Sequence, residues 1–376
     1  MASPEVLDFA RLLLPVQGPV AAGVDLRSDS SPNSLYYLIK DARSAARAAE
    51  RQIVMDEDEP SAKPDWRPVL EHAKKALAEK TKDLEIAAYL IEALVRLHGF
   101  DGLRDGFRLA SGLVEQFWDG LYPLPDEDGL ATRVAPITSL NGDDAEGTLI
   151  APIALVPLTE GSSVGPFALY HYQQAQSLGQ IQDEQAREKR VKRGAVSLES
   201  ISRAVTETPA SFFVTLVQDL TKCQEEFTKL NALLEEKCGS RAPPSSNLRS
   251  ALSACLEAIN YVARDKLRSA QAQAELETEG EQAPVDGSGA AASGGSAEHG
   301  GAIRTREDAF RTLLRVADYF RRMEPHTPVS YTLEQVVRWG RMSLPELLTE
   351  LIPEDKSRQG FFKQVGIRAT EPPPGE

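Results

Sequence analysis

The chain has 376 residues, and 56 acidic against 42 basic side chains leave a formal net charge of −14. That field repels a phosphate backbone, which excludes general nucleic-acid binding, and the length asks for two or three domains rather than one core. Cys223, Cys238 and Cys255 lack C-x-x-C spacing, which argues against a disulfide framework or zinc site and fits a reducing compartment; Glu5 and Asp8 stand where a signal peptide is basic, and the longest apolar run, LIAPIALVPL at 149–158, is too short and proline-broken to span a bilayer.

Residues 1–205 read as one mainly helical domain. Its irregular parts are the acidic loop DEDEPSAKPD at 56–65 and the segment 124–168, where Pro136, Pro152, Pro157 and Pro166 break any long helix. The clearest pattern lies in 82–129. Behind Asp83, a helix-capping residue, Leu84, Ala87, Ala88, Ile91, Leu94, Val95 and His98 recur at three- and four-residue steps. Gly99 and Gly102 supply the backbone freedom of a tight corner, and Leu103, Phe107, Ala110, Val114 and Phe117 mark a second stripe before Pro123 and Pro125. The two helices are expected to pack as a hairpin. LIAPIALVPL is expected as a short strand pair or an extended arm, and KRVKR at 189–193 as a solvated face, with an acidic partner as the alternative.

Residues 206–272 predict a second helical hairpin. Phe213, Leu216, Leu220, Cys223, Phe227, Leu230 and Leu234 alternate three- and four-residue steps between a Thr208-Pro209 start and a Gly239 stop. A helix from about Ser246 repeats the rhythm with Leu248, Leu252, Cys255, Ile259 and Val262. Two helices alone have too little core to stand. The expectation is a dimerisation module in which Phe213, Leu216, Leu220, Phe227 and Leu230 meet a second copy; the alternative is that the hairpin folds onto the N-terminal domain.

Residues 273–303 carry GSGAAASGGSAEHGG after an acidic run, and 271–303 contain no Lys or Arg, a composition suited to a flexible linker. The last unit, 304–368, has a helix face of Phe310, Leu313, Leu314, Ala317 and Phe320, a second helix with Tyr331, Val336, Val337 and Trp339, and a capping box of Ser343 and Glu346 before a third. Twelve basic against nine acidic residues make it net positive while the rest of the chain is strongly negative. So small and aromatic a unit is a marginal monomer, and self-association is expected, with Phe320, Arg321, Arg322, His326, Tyr331, Trp339 and Arg341 as interface candidates, since arginine beside large rings is typical of contact hot spots.

Catalytic signals are weak. Gly161-Ser162-Ser163-Val164-Gly165 matches G-x-S-x-G and His171 follows, which would allow a serine hydrolase using Ser163, but no strand precedes it and Pro166 brackets it as a turn. Gly287, Gly289 and Ala292 imitate a dinucleotide fingerprint inside the linker, without a strand before them. His72, His98, His171, His299 and His326 are too scattered to imply a metal site, and no cofactor is expected. Trp118 and Tyr122 in FWDGLYP are candidates for partner binding or for closing the N-terminal core.

KDLEIAAYLIEALVRLHGFDGLRDG, FWDGLYPLPDEDG and RVAPITSLNG, three stretches between residues 82 and 142, resemble the N-terminal domain of the ImpA family, the TssA proteins of the bacterial type VI secretion system, and the likeness extends less strongly over 1–80. VADYFRRMEPHTPVSYTLEQVVRWGRMSLPELLTELI, 316–352, resembles the C-terminal region of the shorter TssA proteins. The resemblance implies a multi-domain, mainly α scaffold with an ImpA-type N-terminal domain, a helical-hairpin middle module and a small ring-forming C-terminal domain. It also implies a cytoplasmic, non-enzymatic assembly factor of a Gram-negative bacterium. Its partners would be copies of itself, the baseplate, the Hcp tube, the contractile sheath and, in some members, the ClpV ATPase, with no insertion into a membrane. An oligomeric adaptor unrelated to secretion is a further alternative.

Overall fold

The computed structural model describes residues 2–55, 63–181, 183–192, 194–280, 306–323, 326 and 328–351. The loop at 56–62, most of the expected linker and the chain's last residues therefore lie outside the described part. Among the described residues every named element is a helix, and β-pairing is confined to isolated bridges. The chain divides into two units, 1–285 and 286–376.

The first unit is built on α4, Leu84–Phe117, after α1 (Phe9–Leu12), α2 (Leu35–Met55) and α3 (Arg67–Glu79). Asp83 starts α4 as expected, its carboxylate accepting from the Glu85 and Ile86 amides at 2.7 and 3.4 Å. Gly99, at φ 65° and ψ −137°, is non-helical and breaks α4 into two limbs. The limbs fold back on each other: a Cβ at Gly102 would stand 2.6 Å from the Leu94 carbonyl oxygen, and one at Gly106 2.7 Å from the Ile91 side chain. A straight helix would hold those pairs far apart at 1.5 Å per residue, so the expected hairpin is present and its closeness requires glycine.

Around it lie α5 (Leu130–Asn141), α6 (Ile150–Leu155), α7 (Leu169–Gly179), α8 (Glu184–Lys192), α9 (Leu198–Glu207), α10 (Ala210–Cys238), α11 (Ser246–Val262) and α12 (Arg264–Gly280). LIAPIALVPL contains a short helix, α6, rather than a strand pair, followed by one bridge between Pro157 and Ala168. The helix α8 takes up most of KRVKR, and Arg190 within it is exposed, as the solvated reading requires. The linker begins later than its composition implies, because α12 runs on through 273–280.

The α10–α11 hairpin forms, with Gly239 at φ 58° ending α10, but it does not stand apart. Its seam packs on α4: the rings of Phe107 and Phe227 lie 4.9 Å apart, and Phe213, Leu220, Phe227 and Leu230 are all at most 3 % exposed within one chain. The expectation that these side chains wait for a second copy is thus corrected. A two-helix hairpin needs a third surface to cover its apolar stripe, and the second limb of α4 supplies it. Leu216 is half-buried on the same helix. The boundary expected at 205/206 accordingly falls inside one continuous core.

The second unit contains α13 (Arg306–Met323), α14 (Val329–Arg341) and α15 (Leu344–Leu351). Phe310, Ala317 and Val337 are buried between α13 and α14. Gly340 makes room for Phe310, since a Cβ there would come within 2.5 Å of the ring. Ser343 donates its amide and hydroxyl to Glu346 at 2.8 and 2.7 Å, the contact expected before α15.

Candidate partner-binding surfaces

Two surfaces stand out, one in each unit. In the first, the break at Gly99 leaves a cavity of about 1140 Å³ at the elbow of α4. Its apolar lining comes from Val95 and Phe100 on α4, Leu155 and Val156 at the end of α6, and Phe212 and Leu216 on α10. Leu97 and Leu155 on the lining are 37 % and 54 % exposed, so apolar surface is left facing water at the mouth.

The polar wall is made by α2. Glu50 accepts from Arg96 at 2.6 and 3.0 Å and from the Trp66 indole at 2.7 Å, while the Arg96 guanidinium lies 3.9 Å from the Trp66 ring centre. Two turns earlier on α2, Arg43 grips buried Glu92 in a two-pronged pair at 2.9 and 2.7 Å, and Thr148 adds a third donor at 2.7 Å. Arg47 lies between these pairs and lines the cavity, and among the described residues it has no carboxylate partner. Burial, and then the positive fields of Arg43, Arg96 and Arg51, hold its guanidinium below the usual arginine value, against the pull of Glu92. Sequence reasoning missed this wall. A sign was present in Arg43, Arg47 and Arg51 at four-residue steps on one helix, and in Glu92 inside an otherwise apolar stripe.

In the second unit, α13 carries two apolar faces. Phe310 and Ala317 turn inward, whereas Val316, Tyr319 and Met323, at i, i+3 and i+7, are 39 %, 59 % and 65 % exposed. On α14 Val329, Tyr331 and Val336 are exposed too. Of the residues proposed from sequence for this interface, Tyr331, Arg322 and His326 are exposed, Phe320 and Trp339 half-buried. Arg321 pairs with Glu334 and stands 5.9 Å from the Tyr331 ring centre, and Arg341 pairs with Glu307 at 3.0 Å and lies over Phe310. Both arginines therefore already tie α13 to α14.

Trp118 and Tyr122 are placed as closers of the core rather than as a free aromatic patch. Arg133 donates to the Trp118 carbonyl at 2.7 Å and lies 5.0 Å from its ring centre, while the Tyr122 amide and carbonyl bond to Lys82 and Leu84 at 2.9 and 2.8 Å. Ser163 is exposed and donates its hydroxyl and amide to Glu207 at 2.5 and 2.9 Å. His171 Nδ1 accepts from the Ala168 amide at 3.0 Å, capping α7, and burial pushes the imidazole below its ordinary value. Each partner of the hydrolase reading is thus engaged elsewhere. Among the described residues no group of three or more metal-ligating side chains gathers, and no helix is long and apolar enough to cross a membrane.

Comparison with known proteins fits this architecture. Residues 13–142 match the family model described as ImpA, N-terminal, type VI secretion system. Over 357 residues the chain is 28 % identical to type VI secretion system component TssA1 of Pseudomonas aeruginosa, covering 94 % of this chain and 97 % of that one. It is also similar to the solved N-terminal domain, including the conserved ImpA_N region, of the TssA component from Burkholderia cenocepacia. That match has 27 % identity and a TM-score of 0.58 over 69 % of this chain and 95 % of that chain.

Proposed function

We propose that this chain, similar along its length to a TssA component and matching the ImpA N-terminal family model, serves the type VI secretion machine as a cytoplasmic, non-enzymatic scaffold whose 306–351 helices assemble copies into a ring. In this reading the ring organises baseplate, tail tube and sheath, and the first unit offers a partner-binding surface of its own. The observation that carries self-assembly is the uncovered stripe of Val316, Tyr319 and Met323 beside exposed Tyr331 and Val336. A unit this small cannot afford so much apolar surface in water unless another copy covers it. The absence of catalysis is supported by the hydrogen bonds that hold Ser163 to Glu207 and His171 to Ala168.

Light scattering and electron microscopy of the full chain at micromolar concentration test the proposal. A closed multimer is expected, and a monomer would overturn it. Secretion of the Hcp tube protein by cells lacking the chain would in turn remove the proposed place in the machine.

A further inference from the structure

The elbow cavity is mostly apolar, somewhat larger than a typical small-molecule site and open to water at its rim. Such sites span roughly 300–1,000 Å³ and are mostly enclosed by apolar groups, whereas this one reaches about 1140 Å³ and has leucines exposed at its mouth. Its charge balance points to an occupant. Glu50 on the lining is already held by Arg96 and Trp66, and Asp219 by Ser3 and Arg104. That leaves two acidic groups on the lining without a side-chain cation, Asp101 at the start of the second limb of α4 and exposed Glu146, and neither lies on α2. On the basic side, Arg47 is half-buried and Arg51 exposed, and neither has a carboxylate partner among the described residues. A partly desolvated guanidinium with its fork empty is costly until a planar anion fills it.

We propose that the cavity at the α4 elbow docks an amphipathic segment of another protein, its apolar side chains on Val95, Phe100, Leu155, Val156, Phe212 and Leu216 and its carboxylate on Arg47 and Arg51. An apolar floor with one charged wall is the arrangement by which grooves read such segments: the floor supplies affinity and the guanidinium fixes register. Glu92 and Glu50, locked to Arg43 and Arg96, keep those two arginines occupied and leave Arg47 as the free fork. Every residue of the lining belongs to the first unit, and occupancy of the cavity does not require ring formation.

The test places the photo-crosslinking residue benzoylphenylalanine at position 155 of the full chain in secretion-competent cells and identifies the crosslinked peptide by mass spectrometry. The expected product joins a different protein through a peptide with Asp or Glu within about one helical turn of the attachment point. Arg47→Glu should lower its yield on the order of tenfold or more without changing the multimer's mass by light scattering. Changing the captured carboxylate to arginine should restore the crosslink to Arg47→Glu. A crosslink to residues 56–62 of the same chain, to a second copy, to a segment lacking carboxylates, or one indifferent to Arg47→Glu would overturn the proposal, as would no crosslink at all. Because multimer mass is followed in the same samples, failure here is distinguishable from failure of self-assembly.

Discussion

Arg104, on the second limb of α4, donates to the carboxylate of Asp219 on α10 at 3.2 Å, and both side chains are less than a tenth exposed. The pair is a junction of three segments. Asp219 also accepts the amide and hydroxyl of Ser3 at 2.8 and 2.5 Å, and Arg104 donates to the Ser3 and Pro4 carbonyls at 2.9 and 3.1 Å. Through Nε it holds Asp105 at 2.8 Å, whose other oxygen takes the Val6 and Leu7 amides at 2.6 and 3.2 Å. The extreme N-terminal residues are thus tied to α4 and α10 by a buried, charge-assisted network.

Asp219→Ala leaves the buried Arg104 cation with Asp105 as its remaining carboxylate and the Ser3 amide and hydroxyl without their acceptor, so the loss should be about 2–3 kcal/mol, below the roughly 3–5 kcal/mol typical of a buried pair broken outright. Urea titration should show a loss of unfolding free energy of about 2–3 kcal/mol. Amide exchange at Val6 and Leu7 should quicken by more than the global loss explains. If both amides keep their protection relative to the core, the network does not hold the N-terminus.

Lys82 gives a pH signature. Its side chain is fully buried, donates to the Leu12 and Leu77 carbonyls at 2.7 Å each, and lies 5.4 Å from the Phe117 ring centre. No carboxylate offsets its burial there, and desolvation pushes its pKa down from 10.5 to about 8. The unfolded chain therefore keeps this proton to higher pH than the folded one. Stability from this group is present above pH 10.5, is lost as pH falls through about 8, and rises with pH across the window between, by an amount on the order of 3 kcal/mol. Denaturation of the native chain and of Lys82→Met should diverge over that window. Parallel curves would mean that Lys82 titrates normally in the fold.

Leu220→Asp separates the two readings of the middle hairpin. A stand-alone dimerisation module would lose its dimer and spare the N-terminal domain. The structure places Leu220 at 0 % exposure in a core shared with α4, so a buried unpaired charge should unfold the first unit as a whole. Circular dichroism should show helix lost well beyond 206–280, and an intact N-terminal domain would restore the modular reading.

That hairpin shows where sequence stopped being informative. Periodicity identified the apolar stripe of α10 correctly, residue by residue, because the stripe is a local property of a 3.6-residue helix. It carried no information on what covers the stripe, since a neighbouring copy and α4 offer the same kind of surface. The α4 hairpin was legible because Gly99 and Gly102 mark a corner within the same stretch of chain. The wall of Arg43, Arg47, Glu50, Glu92 and Arg96 was not, because its pairs join residues 46 and 49 positions apart. Trp118 and Tyr122 were legible as core closers or as a partner-binding patch, and the contacts that place them in the core, from Arg133 and Lys82, are tertiary and leave no sequence pattern.

Ser163→Ala tests the catalytic alternative at its one candidate nucleophile. The substitution removes the hydroxyl contact to Glu207 on an exposed turn, where changes usually stay within about 0.5 kcal/mol. Melting temperature and Hcp release should be unchanged. Loss of release by a well-folded variant at matched levels would favour chemistry at Ser163 over scaffolding.

Tyr319→Asp addresses self-assembly with the least damage to the fold. Tyr319 is 59 % exposed on the outer face of α13, whereas Phe310, Ala317 and Val337 hold α13 to α14 from the inner face. A charge at 319 should therefore leave helix content intact while placing an unpaired carboxylate in the contact between copies, where desolvating it has no compensating partner. The mass by light scattering should fall to that of smaller species, and Hcp release should fall with it. Trp339→Ala is a less clean probe, because Trp339 is half-buried and its loss weakens the unit itself. A Tyr319→Asp chain of unchanged mass would place the assembly surface off this stripe, and a smaller species that still supports release would separate ring formation from secretion.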